Sequence, residues 1–278
     1  MTVGQLHVTP ISGTIGAEIS GVHLDALDDD TMAAIRGAWL EHKVVFFRDQ
    51  ELDSDQFLAF ARQVGELARY PFVPGLPGHP DIIAVTKLPE ERHNFGGIWH
   101  SDTAYLDEPP MATMLLAREV PPVGGDTMFA DMYAAFDTLS PAMQTMLEPL
   151  RAVNSSALAD VSKTREDRIR DAGDVDDLPD FEAIHPVVRT HPETGRKALY
   201  VNVAHTARFD GMTDDESRGL LQFLFHHQVR PELTCRFRWE VGSLALWDNR
   251  CAQHNPVNDY HGFRRVMHRI TLAGDRPR

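Results

Sequence analysis

Thr234-Cys235-Arg236-Phe237-Arg238-Trp239-Glu240, Ser243-Leu244-Ala245-Leu246-Trp247 and Phe263-Arg264-Arg265-Val266-Met267-His268-Arg269-Ile270-Thr271-Leu272 follow one another near the end of the chain, with no helical pattern between them. Each is of strand length and rich in aromatic, aliphatic and β-branched residues. Working backwards, residues 111–117, 126–130, 185–190 and 199–202 carry the same signature, and Pro192-Glu193-Thr194-Gly195 supplies the turn that a hairpin needs between the last two. Strands that succeed one another without an intervening helix argue against a doubly wound parallel sheet. The expected fold is mainly β with helical additions, a sandwich or jelly roll.

The helical additions announce themselves by their starts. After the run Asp28-Asp29-Asp30, residues 31–40 place Met32, Ile35, Trp39 and Leu40 at helical spacing, with acids where a helix N-terminus favours them. Val44-Val45-Phe46-Phe47 then suggests a buried strand. Ser54 is the expected cap of a helix with Phe57, Leu58, Ala61 and Val64 on one face. Ser140-Pro141 opens another helix, and Thr213-x-x-Glu216 is a capping box leading into Leu220, Leu221, Leu224 and Phe225. Residues 159–180 are acidic, turn-rich and poor in apolar side chains, which predicts a mobile lid. With no repeat, low-complexity tract or Gly/Ser linker, residues 1–278 are expected to form one domain.

Composition narrows the function classes. The 278 residues carry 27 Lys+Arg against 41 Asp+Glu, a net charge of -14. Such a surface repels phosphate backbones and anionic headgroups, so neither nucleic acid nor a membrane is an expected partner. No apolar run approaches the ~20 residues that span a bilayer. The start, Met1 to His7, has neither a basic segment nor an apolar one, and two cysteines make no disulfide scaffold, so the expected compartment is the cytoplasm. Fourteen histidines direct attention to metal.

Trp99-His100-Ser101-Asp102 is the first candidate. In an extended strand, residues i and i+2 face one way, so His100 and Asp102 could grip one ion. The pattern alone is weak, since His23-Leu24-Asp25 matches it too and is expected in a solvated loop. Context decides between them. Gly124-Gly125-Asp126-Thr127 opens a strand, Trp247-Asp248-Asn249-Arg250 leads to His254, and Arg265, Met267 and Arg269 share one strand face. Two guanidiniums on one face make an anion clamp, and two His with one carboxylate describe the facial set of non-haem iron oxygenases.

With these residues together, the sequence resembles the TauD/TfdA family of taurine and 2,4-dichlorophenoxyacetate dioxygenases along nearly its whole length. Further matching pieces are Ile15-Gly16-Ala17-Glu18-Ile19, Val44 to Gln50, and His185-Pro186-Val187-Val188-Arg189-Thr190-His191-Pro192. The resemblance implies a double-stranded β-helix core and a reaction using Fe(II), 2-oxoglutarate and O2, with succinate and CO2 as coproducts. It implies His100, Asp102 and His254 as iron ligands, and Thr127 and Arg265 as the grip on the distal carboxylate of 2-oxoglutarate. Arg269 would meet the substrate's anionic group and sometimes the cosubstrate. Because Asp102 is kept, hydroxylation is implied rather than halogenation. The resemblance also implies a homo-oligomer, a dimer or tetramer.

The substrate shell departs from the taurine pattern. Tyr70 and Val73 stand where taurine-specific relatives have a His and then a Tyr, Gly96 replaces an Asn, and His205 replaces a Phe. Tyr70, Thr103, His205 and Arg269 are the candidate substrate contacts, and Gly96 with Gly97 is expected to leave room for something larger than taurine. The substrate expected is a small anionic molecule: a sulfonate, sulfate ester, aryloxyalkanoate or similar carboxylate.

Two other uses of the same residues stay open on sequence grounds. A Zn(II) hydrolase could employ the His2Asp set, though no general base accompanies it and the paired arginines would go unexplained. A non-catalytic β-barrel binding protein is the other. Trp99 and Trp247 are expected in the core, His268 and Arg264 on the strand face away from the pocket, and Cys235 and Cys251 lack ligand spacing and should be inert.

Overall fold

A computed structural model describes residues 6–69, 73–94, 96–158 and 181–278. The expected lid at 159–180 and Tyr70 lie outside the described residues. The largest sheet runs in the order β1 (His7–Pro10), β2 (Ala17–Ser20), β3 (Val44–Phe47), β14 (Leu244–Asp248), β6 (Ala112–Glu119), β16 (Arg265–Leu272) and β4 (Leu67–Ala68), and β5 (Ile83–Lys87) also pairs with β16. A three-stranded sheet, β13 (Thr234–Phe237), β7 (Thr127–Asp131) and β15 (Ala252–Pro256), packs across its inner face. The result is the expected jelly-roll sandwich.

Alternation of side chains explains why the central strands are apolar on both faces. Within β3, Val44 and Phe46 point into the sandwich with Leu115, Phe129, Phe237, Ala245 and Met267. Val45 and Phe47 point outward, beneath Ile35 and Trp39 of α1 (Asp29–His42) and Phe57, Phe60 and Ala61 of α2 (Ser54–Val64). Phe46 stacks on Phe237 with centroids 3.9 Å apart. The α2 helix is capped by Asp53, not Ser54. Its carboxylate accepts from the Gln56 N–H while the Gln56 side chain answers the Asp53 N–H, which satisfies two donors that serine alone would leave open.

A second core forms behind the small sheet. It combines α3 (Met132–Asp137), α4 (Pro141–Leu147) and α5 (Asp214–His227) with a sheet of β12 (Thr206–Phe209), β8 (Arg151–Ser155) and β9 (Glu182–Pro186), and with the hairpin β10 (Val188–Thr190) and β11 (Lys197–Leu199). The predicted caps Ser140 and Thr213 are present, with Pro141 at the first position of α4. The single strand expected at 185–190 is broken at Val187, which contributes to the second core, and the strand expected at 199–202 ends at Leu199. Tyr200 to Asn202 instead approach a turn in which the Asn202 side chain accepts from the His205 N–H at 2.9 Å.

A buried ionic network joins the two cores. Asp248 accepts from Arg250 Nε at 2.8 Å, Arg250 Nη2 at 2.7 Å and His191 Nε2 at 3.0 Å. Arg250 Nη1 also reaches Glu193, which Arg36 of α1 holds from the other side. Burial alone would raise the Asp248 pKa, but Arg250 and His191 outweigh it and hold the carboxyl at about 2. A pKa depressed in the folded state contributes stability above the ordinary value of 3.8, and that contribution is lost as pH falls toward 2. Asp248→Asn is therefore expected to cost about 1–3 kcal/mol at neutral pH, because Arg250 keeps its burial and loses one of its two charge partners, with only Glu193 left. Thermal melts from pH 7 to 3 check this: the gap between variant and parent should narrow as the parent acidifies.

Candidate metal and cosubstrate site

His100 and His254 are brought together by an isolated antiparallel bridge, with His100 N–H donating to the His254 carbonyl at 3.0 Å and the reverse bond at 2.8 Å. His254 sits in β15, held in register opposite Phe129 of β7. Asp102 is not in an extended strand with His100, as the spacing had suggested. It opens a turn whose next residue, Thr103, is buried with φ 41°. A β-branched residue in the left-handed region is strained. The turn, rather than a strand pleat, aims the carboxylate at the two rings.

His100 Nε2 and His254 Nε2 lie 3.7 Å and 3.9 Å from Asp102 Oδ1, and all three side chains are buried. His100 Nδ1 donates to the Ile98 carbonyl at 2.7 Å, which fixes the tautomer and turns the Nε2 lone pair inward. Burial drives both histidine pKa values down, that of His254 the further, so both rings are neutral donors. Burial alone would raise the pKa of Asp102. The Arg269 guanidinium 2.9 Å away, foremost, and the Thr113 hydroxyl outweigh it and hold the carboxyl well below the usual range. Two neutral imidazoles and one ionised carboxylate, with buried donor atoms and open space before them, fit a divalent iron.

Thr113, which the sequence reading does not single out, orients this set together with Asn249 and Trp247, to which it gives no such role. The Thr113 hydroxyl donates to Asp102 Oδ2 at 2.6 Å, Asn249 Nδ2 donates to Thr113 at 3.0 Å, and Trp247 Nε1 donates to Asn249 Oδ1 at 2.9 Å. Thr113 was visible in principle. It is the one polar residue in Met111-Ala112-Thr113-Met114-Leu115-Leu116-Ala117, a strand buried on both faces.

The ligand set opens into a cleft of about 460 Å³, lined also by Val85, Leu115, Thr127, Arg265 and Arg269. Thr127 Oγ1 accepts from Trp239 Nε1 at 2.9 Å, which leaves its own proton to donate. Arg265 is 6% exposed, and its Nε and Nη2 have no hydrogen-bond partner among the described residues. His205 stands against the other side of His100, with centroids 6.1 Å apart, and against Tyr105 at 4.9 Å. Burial first, then His100, lowers its pKa to about 3. Gly96 corrects an expectation. A Cβ there would lie 2.9 Å from His100 Cε1, so the missing side chain leaves no spare room. It is what lets the ligand ring sit where it does.

A second group, His191, Asp248 and Cys251, also has its ligand atoms within 4.8 Å of one another. It does not suit a metal. His191 Nδ1 accepts from the N–H groups of Glu193 and Thr194, so the proton is on Nε2 and points at Asp248. Burial raises the Cys251 thiol pKa well above its ordinary value. As expected from sequence, His268 and Arg264 turn away from the cleft, His268 to accept from Arg118 and Arg264 to pair with Glu119.

A jelly roll that presents two neutral imidazoles and a carboxylate from one end of its sandwich defines a mononuclear non-haem iron oxygenase. The chain belongs to the TauD/TfdA family: the family model described as taurine catabolism dioxygenase TauD, TfdA family, matches residues 7–271. It is an Fe(II)- and 2-oxoglutarate-dependent dioxygenase. An alpha-ketoglutarate-dependent sulfate ester dioxygenase of Pseudomonas putida is 37% identical, over 98% of this chain and 91% of the relative. An (S)-phenoxypropionate/alpha-ketoglutarate-dioxygenase of Delftia acidovorans is 32% identical, over 97% and 95%. The crystal structure of a taurine dioxygenase from Burkholderia xenovorans superposes with a TM-score of 0.83 at 36% identity, covering 98% of this chain and 90% of that one. No helix among the described residues is long and apolar enough to cross a membrane.

Proposed function

We propose that this dioxygenase hydroxylates a small organic anion, such as a sulfate ester, sulfonate or aryloxyalkanoate. His100, Asp102 and His254 hold the iron, Thr127 and Arg265 hold the distal carboxylate of 2-oxoglutarate, and Arg269 attracts the substrate's anionic group. Iron bound there supplies the chemistry that couples decarboxylation of 2-oxoglutarate to replacement of a substrate C–H by C–OH.

The observation that carries this reading is the charge of the cleft. Iron and the cosubstrate dianion cancel, leaving Arg265 and Arg269 against Asp102 alone among the charged lining residues. One positive charge remains in a desolvated pocket, where it favours an anion and disfavours a cation. The relatives support the same choice, since their named substrates are a sulfate ester, an aryloxy acid and a sulfonate. Thr103 and His205 flank the ligands and serve as substrate contacts, His205 as a neutral ring.

Succinate release from alkyl sulfates, alkanesulfonates, aryloxyalkanoates and amino-acid derivatives, each beside a neutral isostere, tests the proposal. At least one anion should couple succinate release to its own consumption, with its neutral counterpart tenfold or more weaker. Equal turnover of a neutral isostere would remove the anionic assignment.

A further inference from the structure

Beside the cleft lies a buried cation that the reading above does not use. Lys87 ends β5, and β5 pairs with β16 so that Lys87 stands directly opposite Arg265. Opposite residues of an antiparallel pair point to the same face, so Lys87 shares the inner face with the arginine that lines the cleft. Its side chain is as buried as that of Arg265, and its Nζ has no hydrogen-bond partner among the described residues. The ammonium sits 4.0 Å from the centroid of the Tyr260 ring, and the Arg265 guanidinium lies 6.0 Å from that same ring and 5.7 Å from Trp239. Trp239 in turn donates to Thr127.

Two like charges thus share one aromatic ring. Cation–π contact offsets part of the cost of burying each, yet an ammonium with no carboxylate in hydrogen-bond contact remains expensive there. Burial, and then Arg265, lower the pKa of Lys87, against an opposing pull from Glu91. A dianionic ligand whose far carboxylate reaches Arg265 would relieve both cations together.

We propose that Lys87 is a positioning residue for the cosubstrate: held over Tyr260 beside Arg265, it doubles the positive charge at the distal-carboxylate subsite and selects a 2-oxo acid with a charged tail. The proposal rests on the assignment of Arg265 to that carboxylate, and the experiment separates the two. Titrate 2-oxoglutarate with the iron-loaded enzyme for Lys87→Met, Lys87→Arg and Arg265→Ala, and compare 2-oxobutyrate as an uncharged-tail cosubstrate. Record thermal melts with and without Mn(II) and N-oxalylglycine.

Lys87→Met should raise the KM for 2-oxoglutarate about tenfold, change kcat far less, and narrow the preference over 2-oxobutyrate. Lys87→Arg should restore most of both. Without ligand the methionine variant should melt no lower than the parent, because a buried unpaired charge has gone, while its stabilisation by N-oxalylglycine shrinks. If Lys87→Met does not fold, Lys87→Gln carries the same expectations for KM and selectivity. A 2-oxoglutarate KM within twofold of the parent, alongside a raised KM in Arg265→Ala, would overturn the proposal and leave the arginine assignment standing. A lower melting temperature with no change in selectivity would make Lys87 structural only. An unchanged KM in Arg265→Ala would remove the subsite, and this inference with it.

Discussion

His100→Ala, Asp102→Ala and His254→Ala are each expected to abolish substrate-linked succinate release while the fold persists. The three donors converge on one point, and each alanine removes a ligand from a set that has no spare. Without the metal the oxidant itself is missing, so residual activity should fall to background rather than to a fraction. Near-UV circular dichroism and melting curves guard against the trivial explanation. The histidine variants should melt close to the parent, since each exchanges a desolvated ring for a small apolar group. Asp102→Ala should melt lower, because it leaves Arg269 buried without the carboxylate 2.9 Å away. Metal content by atomic emission completes the measurement. A variant with full turnover would remove its residue from the ligand set.

The second large effect concerns the arginines. Arg265 and Arg269 share the inner face of β16 and are four residues apart, about 13 Å along a strand. One lies against Tyr260 and Trp239, the other against Asp102. They stand at different places along the cleft. Losing a bidentate carboxylate contact in a buried site costs about 2–5 kcal/mol, or roughly 30-fold to several-thousand-fold in affinity. Arg265→Ala is expected to raise the 2-oxoglutarate requirement by a factor in that range, with substrate affinity less affected. Arg269→Ala should chiefly weaken an anionic substrate. Separate titrations of cosubstrate and substrate decide between them. If Arg269→Ala damages only the cosubstrate constant, the substrate need not be an anion.

Much of the sandwich could be read from local pattern. Strands such as Leu244–Asp248 and Arg265–Leu272 are built of residues that favour a pleated, buried surface, and their neighbours do not change that preference. Strand β15 was missed for the opposite reason. Ala252-Gln253-His254-Asn255-Pro256 has no intrinsic strand preference and is extended only because β7 pairs with it. The exposed edge strand His7–Pro10, with a proline at its end, was equally silent.

That His100, Asp102 and His254 belong together was legible through the resemblance carried by their motifs, whereas the way they meet was not. His100 to Asp102 looked like a strand pleat; the bridge to His254 and the left-handed Thr103 make it a turn. Lys87 carried no local signal at all. Its meaning depends on a register with Arg265, 178 positions further along the chain, and such non-local pairing is written in no single segment.

The Thr113 hydroxyl has one more consequence, for denticity. It occupies Asp102 Oδ2, and both histidine Nε2 atoms face Oδ1. With Oδ2 so engaged, Oδ1 is the oxygen turned to the histidines, where Arg269 Nη2 also reaches it at 2.9 Å, and Asn249 and Trp247 stand behind Thr113 in the same chain of hydrogen bonds. A divalent ion held there would meet a single carboxylate oxygen rather than a chelating pair. A hydroxyl that faces away from the donor atoms would thus help to leave room beside such an ion for small molecules.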